Sequence, residues 1–176
     1  MDIATVNSLD PDAFRAAFGQ VFEHSPWVAE RAHMRRPFAS LDALHAAMME
    51  AVETASPEEK LALIRAHPEL GGREARAGAL TPDSSTEQGR LGLTSLSRDE
   101  LDRLDRLNAA YRERFGFPCV IALRLHRDRA SVWAEFERRL ANTPDQEIRN
   151  AIAQIGAISR GRLDRILASG ENRRWA

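Results

Sequence analysis

The sequence of 176 residues predicts an all-α protein that forms a single domain over residues 1–176, with about eight helices. First, capping side chains followed by proline recur along the chain, and this pairing is typical of helix starts because the missing N–H of proline needs no partner there. Second, apolar residues follow these starts at helical spacing. Third, no convincing run of alternating apolar and polar residues predicts a strand.

Four helices are predicted in the first third of the chain. Their capping residues are, in chain order, Asp10, Ser25, Ser40 and Ser56. In the first helix, Phe14, Phe18 and Phe22 follow the spacing of one buried face. The fourth helix begins with a capping box, in which Ser56 and Glu59 can each satisfy a backbone N–H of the other.

The remaining helices are predicted after a long irregular segment. They are a short helix over residues 84–91, one from Ser97 to Gly116, one through Val132, Phe136 and Leu140, and a long one from Thr143 to about Leu167. Ser97 and Glu100 form a second capping box, and Gly116 supplies a stop because glycine favours the conformation that ends a helix.

Two segments are predicted to be non-helical. Residues 67–83 are rich in glycine and proline, and a segment of this length in a compact domain is usually a functional loop or lid; the alternative is a mobile surface loop. The short apolar run over residues 117–123 contains Pro118 and is predicted to be extended chain that crosses the protein interior.

The composition predicts a soluble, cytoplasmic protein and argues against several function classes. The 25 Lys and Arg residues nearly balance the 26 Asp and Glu residues, so we expect no broad basic surface for nucleic acid. No stretch approaches the roughly 20 apolar residues of a membrane span, and the N-terminus lacks a signal-like pattern. Cys119 is the single cysteine and cannot form an intrachain disulfide, which fits a reducing cytosol.

Arg162 lies within the apolar face of the predicted final helix. That face consists of Ile148, Ile152, Ile155, Ser159, Leu163 and Ile166. A guanidinium in this position needs a partner, because burying it alone would be costly. The partner can be a protein carboxylate in a structural ion pair or an anionic substrate, and a side chain that reaches solvent is a further alternative. The spacing alone leaves these alternatives open.

A second unusual helix face follows the irregular segment. Ser84, Glu87, Gln88 and Leu91 have the i, i+3, i+4, i+7 spacing of one face, and three of them are polar. If this face turns inward, it presents a hydroxyl, a carboxylate and an amide to an interior site. If it turns outward, Ser84 is an N-cap and Glu87 a favourable first-turn charge, and local rules favour this second interpretation.

His67 stands where the fourth helix meets the irregular segment, and Pro68 after it disfavours helical continuation. This is a suitable place for a general acid or base, although a histidine that interacts with the helix dipole is the commoner case. The histidines show no i, i+4 pair with a catalytic glutamate and no cysteine cluster, so we expect no metal site. Cys119 lies in an apolar run, where a packed thiol is expected rather than a nucleophile.

Three blocks of sequence, and a weaker fourth, occur together along nearly the whole chain. The first is His67, Pro68, Glu69, Leu70 and Gly71; the second is Leu80, Thr81 and Ser84 to Gln88, continuing to Gly92 and Leu93. The third is Leu107 to Tyr111 with Phe115, Gly116, Phe117, Pro118, Val120 and Ile121, and the fourth is Phe136, Arg139, Leu140, Asn142, Glu147, Arg162 and Leu163. This ordered combination resembles the 2-oxo-4-hydroxy-4-carboxy-5-ureidoimidazoline (OHCU) decarboxylase family.

The resemblance implies an all-helical homodimer that converts OHCU to (S)-allantoin in urate breakdown, with no metal or organic cofactor. It implies that His67 is the catalytic acid or base, that Glu87 lies beside it, and that Arg162 binds a substrate carbonyl or carboxylate. The implied substrate contacts are Pro68, Ser84, Gln88 and the backbone of Cys119, Val120, Ile121, Ala122 and Leu123. Two alternatives remain: a helical interaction module without turnover, and a family member that acts on a different ureido or carboxy-imidazoline compound.

Overall fold

The computed structural model describes residues 1–171, with side chains through Ala168, and the regular elements in this range are helices. The helices are α1 (Ile3–Ser8), α2 (Pro11–Phe18), α3 (Trp27–His33), α4 (Leu41–Glu53), α5 (Pro57–Arg65), α6 (Arg73–Arg76), α7 (Pro82–Arg90), α8 (Arg98–Phe115), α9 (Arg129–Arg139) and α10 (Pro144–Glu171), with a 3₁₀ helix at Leu123–Leu125. No strand occurs within residues 1–171. The predicted all-α class is therefore confirmed.

Most of the predicted helix starts are confirmed, because capping is a local interaction that sequence spacing reveals. Side chains cap the helices at Asp10, Ser40, Ser56, Ser97 and Thr143. Both predicted capping boxes are closed, Ser56 with Glu59 and Ser97 with Glu100. Gly116 ends α8 in the left-handed conformation, with φ of 77°.

The start of α3 differs from the prediction. Pro26 occupies the N-cap position without a side-chain hydrogen bond, and the Ser25 hydroxyl donates to the Glu23 carbonyl oxygen at 2.9 Å. Ser25 therefore stabilises the preceding turn rather than the helix.

The sequence also missed two short helices. Asp2 caps α1 by accepting from the Thr5 N–H, but six residues are too few to show a helical period. The four-residue α6 follows Gly72, which offers no side-chain cap, and it lies inside the segment predicted to be irregular. That prediction was wrong here and at its end, since α7 already begins at Pro82.

The described chain divides into two compact units. Unit 1 comprises residues 1–66 and the chain from Ser159 onward; within it, α3 packs against both α2 and α4. Its buried core includes Phe14, Phe18, Phe22, Leu44, Met48 and Ile64. The assignment of one domain to residues 1–176 stays a prediction.

Unit 2 comprises residues 67–158, and α7 packs against the 3₁₀ helix within it. Its buried core includes Leu93, Leu104, Tyr111, Phe117, Phe136 and Ile155. The Tyr111 ring makes edge contacts with Phe117 and Phe136 at centroid distances of 6.0 and 5.7 Å. In the described range, no helix combines the length and the apolar character that crossing a membrane requires.

Gly71 and Gly78 provide a matched test of packing in unit 2, because both have positive φ, 54° and 66°. A Cβ on Gly71 would lie 2.7 Å from Leu104 Cδ2, whereas a Cβ on Gly78 would meet nothing within 4 Å. Both alanine variants should lose about 1–2 kcal/mol of unfolding free energy to backbone strain. Gly71→Ala should lose about 1–3 kcal/mol more to overpacking, measured by urea denaturation. Equal losses in the two variants would contradict the packing described.

Candidate functional site

His67 is buried and directly follows the end of α5, with Pro68 half-buried beside it. The backbone that follows is fixed by side chains from α7 and α8. The Gly71 N–H donates to Gln88 Oε1 at 2.8 Å, and Asn108 Nδ2 donates to the Leu70 carbonyl at 3.0 Å. The start of the 67–83 segment is thus held in a defined conformation.

The polar face of α7 turns inward. Ser84 and Gln88 are buried, while Glu87 is half-buried. Thr81 is the N-cap of α7, since its hydroxyl accepts from the Ser84 N–H at 3.3 Å. The cap interpretation of Ser84, which local rules favoured, is therefore wrong, because α7 begins three residues earlier than that interpretation requires.

The segment over residues 117–123 is buried and non-helical up to the 3₁₀ helix, as predicted. Its backbone has no strand neighbour, so side chains supply its hydrogen bonds. Arg139 Nη1 donates to the Val120 carbonyl, and the Ala122 N–H donates to Gln154 Oε1 at 2.7 Å. Arg90 Nη2 donates to the Leu123 carbonyl. Three side chains thus fix both ends of a short stretch of main chain.

Ile121 lies in the middle of this stretch. Within the part of the chain that the structure describes, neither its N–H nor its carbonyl oxygen has a hydrogen-bond partner. A trans peptide directs its C=O and N–H in opposite directions. The Ile121 N–H therefore points away from the Arg139 guanidinium, and the Ile121 carbonyl points away from the Gln154 amide. This backbone donor and acceptor pair is suited to the polar edge of a ring.

Helix α7 connects the two backbone segments of unit 2. Gln88 contacts the 67–72 segment through Gly71, and its Nε2 lies 3.5 Å from the Glu69 carbonyl oxygen. Two residues further along α7, Arg90 contacts the Leu123 carbonyl. The structure therefore brings the His67 segment, the α7 face and the 119–123 segment together within one unit.

A buried ionic network lies behind the 119–123 segment. Arg139 and Glu147 both have fully buried side chains, and Arg139 Nε and Nη2 each lie 2.8 Å from Glu147 Oε2. Tyr111 donates its hydroxyl proton to the same carboxylate, and the Asn142 and Asn150 amides donate to Oε1 at 2.6 and 2.8 Å. The buried Glu147 carboxylate thus has a cation and three hydrogen-bond donors, which offset the cost of removing its charge from water.

The protonation states of this network follow from its contacts. Burial opposes ionisation of Glu147, but the hydrogen bonds from Asn142, Tyr111 and Asn150 and the charge of Arg139 bring its pKa below the ordinary value. Burial also opposes the cation of Arg139, yet the surrounding groups hold its pKa above the ordinary value. The pair is therefore ionic at neutral pH.

Burial raises the pKa of the Cys119 thiol to about 12. The thiolate is the nucleophilic form of cysteine, so this side chain is unreactive at neutral pH. The expected packed thiol is confirmed.

Arg162 belongs to unit 1, where it is buried and pairs with the buried Glu23 carboxylate at 2.8 Å. Its Nη1 also lies 3.5 Å from the Val21 carbonyl oxygen. One turn earlier on α10, Ser159 Oγ lies 3.0 Å from His45 Nε2. The structural ion pair that the sequence left open is therefore present, and the role of Arg162 toward a substrate stays a prediction.

Sequence reasoning gave no role to the side chains that position the 119–123 backbone. Arg90 and Gln154 left no local signal, because their partners lie more than 30 residues away in the chain. Arg139 did leave one, since it continues the buried α9 face of Val132 and Phe136 at helical spacing. Among the described residues, no three His, Cys, Asp or Glu side chains are grouped so that they could hold a metal ion.

Comparison with known proteins agrees with the fold and the motifs. A family model described as OHCU decarboxylase matches residues 7–164. The OHCU decarboxylase of Haloferax volcanii is 46% identical over 163 residues, which cover 93% of this chain and 94% of the relative. The mouse OHCU decarboxylase is 41% identical over 169 residues, covering 96% of this chain and 94% of the relative.

A solved structure has the same architecture. The crystal structure of an (S)-allantoin synthase superimposes with a TM-score of 0.75 at 29% identity, covering 94% of this chain and 54% of that chain. This chain therefore spans about half the length of the synthase.

The fold and the relatives define a helical decarboxylase. The chain belongs to the OHCU decarboxylase family, as the resemblance of its motifs predicted.

The lowered pKa of Glu147 predicts how stability depends on pH. Because the folded-state pKa lies below the unfolded value near 4.5, Glu147 stabilises the fold above that value and loses this contribution as the pH falls through the folded pKa. The double variant Arg139→Met/Glu147→Leu lacks this contribution. Urea unfolding should therefore show a smaller stability loss for the variant than for the wild type between pH 7 and about pH 3.

Other carboxylates with lowered pKa values, Glu59, Glu100 and Asp128, are unchanged in the variant and serve as the common background. Identical pH profiles for the two proteins would contradict the assignment to Glu147.

Proposed function

We propose that this chain is a carboxy-lyase that converts OHCU to (S)-allantoin in urate degradation. The observation that carries the proposal is its 46% identity to an OHCU decarboxylase over nearly the full length of both chains. The buried polar residues of unit 2 support it, because His67, Ser84 and Gln88 retain chemistry that a purely structural helical module does not need.

The proposed reaction begins with the loss of carbon dioxide. The bond between the ring carbon and its carboxylate breaks, and the electron pair delocalises into the conjugated ring. Hydrogen-bond donors aimed at the ring stabilise this charge, and the Ile121 N–H is suited to that role. His67 then donates a proton to the adjacent ring carbon, which bears the ureido group. The hydroxyl on the carbon that lost the carboxylate passes its proton to the ring nitrogen that took up the electron pair, and this carbon becomes the ring carbonyl of allantoin. Protonation from one side of the ring fixes the (S) configuration of the product.

The other site residues have proposed roles in orientation. Glu87 orients the His67 imidazole or the substrate hydroxyl. Pro68, Ser84 and Gln88 contact the substrate, and Gln88 also fixes the Gly71 backbone. The remaining contacts come from the backbone of Cys119, Val120, Ile121, Ala122 and Leu123. Arg162 binds a substrate carbonyl or carboxylate, with Glu23 holding its guanidinium in place.

The proposal also covers the setting of the enzyme. It acts without a metal or an organic cofactor, as a homodimer in the cytoplasm. The resemblance to the family supports the dimer, and the reducing setting fits the single, buried Cys119.

His67→Asn should abolish the acceleration of (S)-allantoin formation, since asparagine cannot donate the proton. OHCU is generated in situ from urate with urate oxidase and hydroxyisourate hydrolase, and the circular dichroism of allantoin is followed. Turnover should fall by about 10²–10⁴-fold, the contribution of a general acid. The matched control is His24→Asn, because His24 is exposed and its φ of 47° suits asparagine.

Spontaneous decay of OHCU gives racemic allantoin, so an enantiomeric signal reports the enzyme alone. Wild-type activity in His67→Asn would remove His67 from the mechanism. A wild-type protein that is folded but gives no acceleration would favour a related ureido or carboxy-imidazoline substrate, or a helical module without turnover.

Exhaustive dialysis against EDTA should leave the rate of (S)-allantoin formation unchanged, because every proposed step uses protein groups alone. The same assay and a metal analysis of the dialysed protein check this. A loss of activity that added zinc restores would refute the cofactor-free proposal.

A further inference from the structure

We propose that Arg139 is a positioning residue for the decarboxylation and that it acts through the peptide that joins Val120 and Ile121. The inference rests on the proposed function, since it assigns a role to the backbone that would bind OHCU. Arg139 itself is fully buried, and its action is on the main chain rather than on the substrate.

The guanidinium of Arg139 divides its donors between two tasks. Nε and Nη2 form the ion pair with Glu147, and Nη2 lies 3.1 Å from the Tyr111 hydroxyl. Nη1 points out of the pair and donates to the Val120 carbonyl. A planar fork of five N–H groups can serve both tasks at once, whereas the ammonium of a lysine is a point charge on a flexible stem.

Stability alone does not account for this arrangement. Apolar residues of similar volume often match or exceed a buried ion pair in stability, because of the cost of desolvating two charges. The pair is instead joined to a non-helical stretch of backbone that has no strand neighbour. Within the described chain, the partner of the Val120 carbonyl is this cation.

The contact has an electronic consequence for Ile121. The Val120 carbonyl and the Ile121 N–H belong to the same peptide group, in which they point in opposite directions. A cation on the carbonyl oxygen withdraws electron density, and hydrogen-bonded groups polarise one another in this way at low dielectric. Arg139 therefore strengthens the Ile121 N–H as a donor and aims it away from the ion pair.

Gln154 completes the positioning from the other side. By accepting the Ala122 N–H at 2.7 Å, it fixes the next peptide and thereby the direction of the Ile121 carbonyl. Both open groups of Ile121 are thus oriented by side chains that need not touch the substrate. A donor that meets developing negative charge lowers the barrier more than it tightens ground-state binding, so loss of Arg139 should reduce kcat more than it raises KM.

The test compares two ion pairs whose arginines are neighbours on α9. Arg139→Met/Glu147→Leu removes the buried pair. The exposed-pair control, Arg138→Met/Glu135→Leu, makes the same substitutions in an i, i+3 pair whose arginine is exposed and whose glutamate is half-buried. We expect the buried-pair variant to keep its helical spectrum while its kcat falls about 10–100-fold, less than the loss of a whole oxyanion-hole donor. The control should keep the wild-type kcat and KM.

A second variant, Arg139→Lys, keeps the positive charge but not the fork, so it tests the contact even where the double variant does not fold. It should show reduced kcat with a smaller change in KM. In ¹⁵N spectra, the Ile121 amide should shift on addition of (S)-allantoin to the wild type and shift less in Arg139→Lys. A purely structural role would leave this difference near zero.

The outcomes separate the two proposals. A wild type that does not accelerate OHCU decay overturns the proposed function and, with it, the role of Arg139. An active wild type with wild-type kcat in folded Arg139→Lys or the folded double variant overturns the positioning role alone. Equal losses of kcat in the buried-pair variant and the exposed-pair control also overturn it.

Discussion

The buried ion pair of Arg139 and Glu147 is the interaction on which the architecture of unit 2 depends. It joins α9 to α10, takes a further hydrogen bond from Tyr111 on α8, and reaches the 119–123 backbone through Val120. Each charge is costly to bury alone, and each is satisfied only because the other elements are in place. The helices and the non-helical segment must therefore be assembled together.

Backbone segments, rather than protruding side chains, form much of the candidate site. Residues 67–72 and 119–122 lie outside helices and strands, so neighbouring side chains supply the hydrogen bonds that a regular element would supply internally. Gln88, Asn108, Arg90 and Gln154 serve in this way. A segment that binds through its main chain does not need particular side chains. The Cys119 thiol can therefore pack in the interior.

Local chemistry made much of the fold predictable. Capping boxes and glycine stops lie within a few residues of one another, and the sequence located the main helices from them. Helices α1 and α6 were missed because they are too short to show a period. The inward face of α7 was recognised as an alternative but not preferred, since burial of Ser84 depends on neighbours that lie far away in sequence.

The contacts that position the site join residues far apart in the chain, and local sequence spacing does not show which of these residues pair with each other. Arg139 lies on an apolar face of α9, and this position indicates burial. The sequence did not identify Glu147 or the Val120 carbonyl as its partners. The ion pair of Arg162 is similar, because Glu23 lies in a different part of the chain. The periodicity of the sequence indicated that both arginines are buried, whereas only the tertiary structure shows which residues they contact.

The completeness of the Arg139 and Glu147 network restricts how this protein can diverge. Removing one member of a buried pair costs about 3–5 kcal/mol, a large share of the 5–15 kcal/mol by which native proteins are typically stable. A lineage that exchanged these residues one at a time would pass through an intermediate protein that folds poorly. These two positions are therefore expected to change only together, while the exposed Arg138 and its half-buried partner Glu135 can vary independently.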